Sequence, residues 1–158
     1  MNYKSSVLTP FGQYILTSDG SNLTGLYLEN QSYFPDLTGF LDEDLEIFRL
    51  TKIWLNDYFA GQIPVLNFPV KPAGTAFRQK VWQILTKIPY GQTTTYGEIA
   101  KLLNIKSAQA IGGAVGHNPI SLIIPCHRVI AQNGSLTGYA GGIEVKKKLL
   151  EMEENTIQ

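Results

Sequence analysis

Over the first third of the chain, apolar residues come in short runs separated by turn formers. Val7-Leu8, Tyr14 to Thr17 and Leu23 to Leu28 are divided by Thr9-Pro10-Phe11-Gly12 and Ser18-Asp19-Gly20-Ser21, the spacing of strands joined by tight connections. A small antiparallel sheet is expected. The period then lengthens: Leu41, Leu45, Phe48, Leu55 and Phe59 recur at helical spacing, with Asp42, Glu43, Asp44 and Glu46 gathered at the predicted N-terminus, where the helix dipole favours negative charge. This predicts one amphipathic helix over 42–59. Pro64, Pro69 and Pro72 precede Gly74, a stretch that holds neither helix nor central strand. A boundary is therefore expected here, with an N-terminal domain over 1–72 and a C-terminal domain over 73–158.

Beyond Gly74 the pattern is helical. Thr75 reads as an N-cap ahead of Phe77, Val81, Trp82, Leu85 and Ile88, an apolar face of core residues that Pro89-Tyr90-Gly91 ends. Thr95-Tyr96-Gly97-Glu98 has the form of a capping box before Ile99 to Leu103, and Ser107 caps Ala108 to Gly116 after the turn Asn104-Ile105-Lys106. Two short helices this close describe a helix-turn-helix. The second holds Gly112, Gly113 and Gly116, each costing up to ~1 kcal/mol of helix propensity against Ala. Two explanations fit: close packing on a neighbouring helix, or close approach to a large external surface such as a nucleic-acid groove.

The 158 residues carry 13 basic and 13 acidic side chains, and zero net charge at first argues against a nucleic-acid partner. Position changes that picture. Residues 1–72 hold four basic and eight acidic groups, whereas 77–150 hold nine basic groups against Glu98 and Glu144 alone, so the second region suits an anion; within it, Lys146 to Lys148 read as a solvated helix face. No apolar run approaches the ~18 residues of a membrane span, and Met1 to Ser5 lacks the apolar block of a signal peptide. Cys126 is the only cysteine, which excludes an internal disulfide and fits a reducing cytoplasm.

That cysteine lies in Ile120-Ser121-Leu122-Ile123-Ile124-Pro125-Cys126-His127-Arg128-Val129. A lone cysteine is either an inert small hydrophobe or a nucleophile. As a nucleophile it needs a base or a positive field, since a thiol of pKa ~8.5 is only a few per cent ionised at pH 7. His127 or Arg128 could supply either. His117, the only other histidine, has no partner identifiable from sequence.

Pro125-Cys126-His127-Arg128-Val129, preceded by Asn118-Pro119, resembles the active-site signature of the O6-alkylguanine-DNA alkyltransferases, the methylated-DNA:protein-cysteine methyltransferases. The resemblance runs from about Phe77 to Glu153 through Ile88-Pro89-Tyr90-Gly91, Thr95-Tyr96-Gly97-Glu98, Ala110-Ile111-Gly112-Gly113-Ala114 and Gly138-Tyr139-Ala140-Gly141-Gly142. It implies an α+β chain: a small RNase H-like α/β domain, then a mainly helical domain with a winged-helix-like helix-turn-helix. It also implies direct-reversal DNA repair, in which Cys126 irreversibly takes the alkyl group from O6-alkylguanine, and from O4-methylthymine, once per molecule. By the same resemblance His127 acts as base through a water, oriented by Glu153, and Tyr96 donates to guanine N3 and helps to rotate the nucleotide. Asn118 hinges the recognition helix to the active-site segment. Val129, Tyr139 and Ala140 receive the flipped base, while Tyr96, Ala108, Gln109, Ala110, Gly112, Gly113 and Arg128 meet the DNA. The expected partner is duplex DNA carrying the lesion, bound by a cytoplasmic monomer without cofactor or membrane contact.

Gln109 departs from the family pattern, which usually has an arginine there to fill the space left by the flipped nucleotide. Glutamine fills volume without the charge or the cation–π contact, so slower or weaker capture is expected. The N-terminal cysteines that bind zinc in some relatives are absent, and no structural metal is expected. Two other classes stay open: a non-enzymatic binder of alkylated DNA, against which Cys126 argues, and a cysteine hydrolase of a small substrate, which would leave the slim helix without purpose.

Overall fold

The computed structural model describes residues 1–157. Strand β1 (Tyr3–Thr9) turns through Gly12, whose φ of 126° requires glycine, into β2 (Gly12–Ser18), which pairs in turn with β3 (Leu23–Leu28). The sheet has a fourth strand that hydrophobic pattern does not announce, β4 (Leu41–Asp42), parallel to β1 and giving the order β3-β2-β1-β4. Asp42 is thus strand rather than helix, and Leu41 is exposed. Helix α1 starts later than expected and runs Glu46–Phe59 from an N-cap at Leu45 that lacks a side-chain bond. Its inward face is Ile47, Phe48, Thr51, Trp54, Leu55 and Tyr58.

The helical part follows the local signals closely. Thr75 Oγ1 accepts from Arg78 N at the head of α2 (Ala76–Leu85), which ends before the half-buried Ile88. Thr95 Oγ1 accepts from Glu98 N at the head of α3 (Tyr96–Leu102), and Ser107 Oγ from Ala110 N at the head of α4 (Ala108–Gly116). Each such cap is worth about 1 kcal/mol. Asn104 takes φ 55° in the turn between α3 and α4, a conformation asparagine tolerates. A parallel pair, β5 (Thr94–Thr95) and β6 (Val129–Ile130), and the last helix, α5 (Ile143–Ile157), complete the chain.

The free edge of β3 carries the segment that leads to the cysteine. Leu26 N donates to Pro119 O at 2.8 Å and Ser121 N to Leu26 O at 2.9 Å, so the sheet grips residues 119–121. Burial is continuous across this seam: Tyr14, Leu16 and Leu26 from the sheet share one core with Trp82, Ile111, Ile124 and Leu149. Trp82 adds a bond from its indole Nε1 to Ala114 O at 2.8 Å, locking α2 to the inner face of α4.

Candidate active site

Cys126 opens a single turn of 3-10 helix, Cys126–Arg128, four positions beyond Leu122, which is buried in the left-handed region at φ 71°. Leucine rarely adopts that conformation, and such strain persists only where surrounding structure enforces it. Here the enforcement comes from Asn118. Its Nδ2 donates to Ile124 O at 2.7 Å and its Oδ1 accepts from Ile120 N at 3.0 Å, closing the loop beneath the cysteine.

The thiol is 4% exposed, and burial pushes its pKa up, opposed by the Asn118 side chain, Lys146 and the backbone N–H groups of 126 and 127. At neutral pH it therefore rests as the thiol. Beside it lies a saturated carboxylate. Glu153 Oε2 accepts from His127 Nε2 at 2.5 Å, Tyr58 Oη at 2.5 Å and Arg128 Nη2 at 3.1 Å; Oε1 accepts from Arg128 Nε at 2.8 Å and Gly91 N at 3.1 Å. Despite burial, these donors and the adjacent charges hold Glu153 well below the usual carboxylate range. Burial drives His127 the other way, towards the neutral ring. With Nε2–H committed to Glu153, the second nitrogen, Nδ1, is a buried acceptor bonded to no protein atom.

Two basic side chains that the sequence placed at the surface are internal. Arg128, expected to contact DNA, is 8% exposed, and besides Glu153 its Nη1 donates to Ile88 O at 2.9 Å. Lys146, read as part of a solvated face, is fully buried: Nζ donates to Val129 O at 2.5 Å and Thr137 O at 3.4 Å and lies 5.9 Å from the centre of the Tyr96 ring. Burial lowers its pKa to about 8, opposed by Cys126. Lys147 and Lys148 do face solvent.

The remaining expected residues form two neighbouring groups. Val129 is buried, with its carbonyl taken by Lys146; Tyr139 is 9% exposed; Ala140 O accepts from Ser32 N at 2.9 Å, tying the N-terminal part to the loop before α5. Tyr96 Oη donates to Thr137 O at 2.9 Å and so closes over the same loop. Tyr96, Ala108, Gln109, Gly112 and Gly113 line an open cleft of about 630 Å³; Ala110 is exposed beside it. A Cβ at Gly113 would meet nothing within 4 Å, and one at Gly112 only Tyr96 Cε1 at 4.0 Å. Internal packing therefore does not require these two glycines.

Sequence reasoning missed two side chains here. Tyr33, at φ 59°, reaches the cleft and stacks on His117 with ring centroids 3.8 Å apart, while His117 Nδ1 lies 2.7 Å from Gly113 O. Tyr58 follows Ile47, Thr51 and Trp54 on the inner face of α1, so its burial was readable by period; its partner 95 residues away was not. Among the described residues no group of three or more His, Cys, Asp or Glu is arranged to hold a metal ion, and no helix is long and apolar enough to cross a membrane.

Two family models and several known proteins match this chain. Residues 76–155 match the family described as 6-O-methylguanine DNA methyltransferase, DNA binding domain, and residues 2–72 match its ribonuclease-like domain. The methylated-DNA--protein-cysteine methyltransferase of Haemophilus influenzae is 42% identical over 92% of this chain and 83% of its own length; that of Mycobacterium bovis is 43% identical over 98% and 94%. A crystal structure of Mycobacterium tuberculosis OGT in complex with DNA superposes with a TM-score of 0.90 at 41% identity, covering 98% of this chain and 94% of that one. By its two matched regions, its relatives and its α+β architecture, the chain belongs to the 6-O-methylguanine DNA methyltransferase family.

Proposed function

We propose that this chain repairs DNA by direct reversal, moving the alkyl group of O6-alkylguanine in duplex DNA onto Cys126 once per molecule. The observation that carries this reading is the buried thiol beside an imidazole whose Nε2–H is held by an ionised Glu153 while Nδ1 is left as an acceptor. A thiol that rests protonated needs its proton removed within the site. His127 takes it through a bridging water, and Glu153 stabilises the resulting imidazolium. The thiolate attacks the alkyl carbon, the S–C bond forms as the C–O6 bond breaks, and the electron pair leaves on guanine O6.

The target base must leave the stack first, because O6 is out of reach of a protein thiol inside a duplex, and extrusion costs a few kcal/mol. The cleft along α4 supports minor-groove approach: the groove admits a helix only with widening, and Gly112 and Gly113 present backbone rather than side chains. Ala108, Gln109 and Ala110 enter with them, Gln109 occupying the space of the extruded nucleotide. Tyr96 exchanges its bond to Thr137 O for guanine N3, and Val129, Tyr139 and Ala140 receive the base. O4-methylthymine offers the same alkyl–oxygen bond and is a second substrate of this reading. Residues 1–72 brace the site as one domain and residues 73–158 bind DNA and react, as a cytoplasmic monomer without cofactor.

Incubation with duplex DNA containing O6-methylguanine, followed by mass measurement of the Cys126 peptide, tests the reaction. The peptide gains one methyl group, and Cys126→Ala gains none. Tight binding without methylation would instead identify a non-enzymatic binder of alkylated DNA.

A further inference from the structure

Helix α1 belongs to the sheet-bearing part of the chain, yet one of its side chains enters the hydrogen-bond system of the reacting cysteine's neighbour. Tyr58 is 1% exposed; its hydroxyl donates to Glu153 Oε2 at 2.5 Å and lies 3.4 Å from His127 Nε2. Every other donor to Glu153 comes from the Tyr90-Gly91 turn or the Cys126–Arg128 turn. Oε2 is the oxygen that holds the imidazole, and without Tyr58 it would be shared by His127 and Arg128 alone.

The ring itself is held independently of the hydroxyl. It stacks on Trp54 with centroids 5.4 Å apart and planes 11° from parallel, and meets Phe59 and Tyr90 edge-on. A packing role would be served as well by phenylalanine; the hydroxyl is the part that needs another explanation.

We propose that Tyr58 is a positioning residue for alkyl transfer: its hydroxyl fixes the Glu153 carboxylate so that Oε2 meets His127 Nε2, and it moderates how strongly that carboxylate holds a proton on the imidazole. A carboxylate oxygen shared among three donors attracts each less than one shared between two. Tyr58 thereby keeps His127 a base that is neutral before reaction and still able to accept the thiol proton. The other titratable and charged groups facing this system are Arg128, Lys146, Tyr90, Tyr139 and Cys126; of these only Arg128 shares Oε2 with Tyr58, and it stays charged with or without the hydroxyl. The inference rests on the alkyl-transfer reading above.

The test is Tyr58→Phe, with single-turnover methyl transfer from an O6-methylguanine duplex measured against pH and the DNA Kd measured separately. At saturating DNA the rate falls about tenfold, Kd stays within about twofold, and the acid limb moves up by about one pH unit, as expected for loss of a hydrogen bond to a charged group. NMR titration of the His127 ring in DNA-free protein reports the same upward shift without any reaction. Should Tyr58→Phe fail to fold, 3-fluorotyrosine placed at position 58 keeps the ring and strengthens the donor, and the limb then moves down. An unchanged saturating rate with an unmoved His127 titration would overturn the proposal and leave Tyr58 a packing residue. Absence of methyl transfer in the unaltered protein would overturn the alkyl-transfer reading instead, and the imidazole titration would still decide whether Tyr58 tunes His127.

Discussion

Replacing Arg128 by alanine distinguishes a side chain that meets DNA from one that holds a buried carboxylate. As a DNA contact its loss would cost affinity and little else. The structure instead puts its guanidinium 8% exposed, with a two-pronged bond to Glu153 at 2.8 and 3.1 Å and a third bond to Ile88 O at 2.9 Å. Arg128→Ala leaves a buried carboxylate without its compensating charge, which costs about 3–5 kcal/mol. For a chain of this size each kcal/mol moves Tm by about 2–4 °C, so Tm falls by roughly 6–20 °C. Lysine is no substitute, because it cannot present two parallel N–H bonds to one carboxylate. The assay is thermal unfolding together with the salt dependence of binding to an undamaged duplex, measured below the variant's transition. Each phosphate contact contributes about 0.9 to the slope of log K against log salt, and that slope stays at the unaltered value. A Tm within about 2 °C of the unaltered protein, combined with a slope smaller by about 0.9, would refute the buried-pair assignment and restore Arg128 to the DNA face.

Two further outcomes follow from the same groups. Stability falls on acidification in two stages. His127 is depressed by burial, so below the ordinary histidine pKa of ~6.5 the unfolded chain binds the extra proton and unfolding gains; Glu153, also depressed, adds its loss as pH drops below the ordinary ~4.3 towards its own lower value. Urea titrations that give a flat unfolding free energy from pH 7 to 5 would contradict the neutral, buried assignment of His127. At the cleft, Gln109→Arg tightens duplex binding, raises the salt slope by up to ~0.9 and speeds capture; identical single-turnover rates and slopes in the two proteins would show that the glutamine is no handicap.

What the sequence disclosed divides by the reach of the interaction involved. Thr75, Thr95 and Ser107 cap their helices through bonds to residues three positions on, so the residue type and its position before an apolar run were sufficient. Gly112 and Gly113 were legible as an anomaly, but choosing between internal packing and outside approach needed the empty space around them. Arg128 and Lys146 were misjudged because charge is normally read as exposure. The partners that reverse this reading, Glu153 and Val129 O, stand 25 and 17 residues away in the chain. Strand β4 escaped notice for a different reason: Leu41 falls on the helical spacing of the residues that follow it and Asp42 among the acids before the helix, yet both are exposed and pair with β1. Within the candidate site, the cysteine and its histidine announced themselves by adjacency, whereas Tyr58 and Tyr33 come from the sheet-bearing part and meet the site only in three dimensions.

The five donors on Glu153 also impose an order in time. Tyr58, Gly91, His127 and Arg128 all leave the ribosome before the carboxylate that joins them, and a chain that has reached Arg128 but not Glu153 has a cysteine turn with an unanchored imidazole and an uncompensated guanidinium. The reactive centre is therefore complete only when α5 has been made and docked. Until α5 docks, the imidazole beside the thiol lacks the carboxylate that holds its Nε2–H.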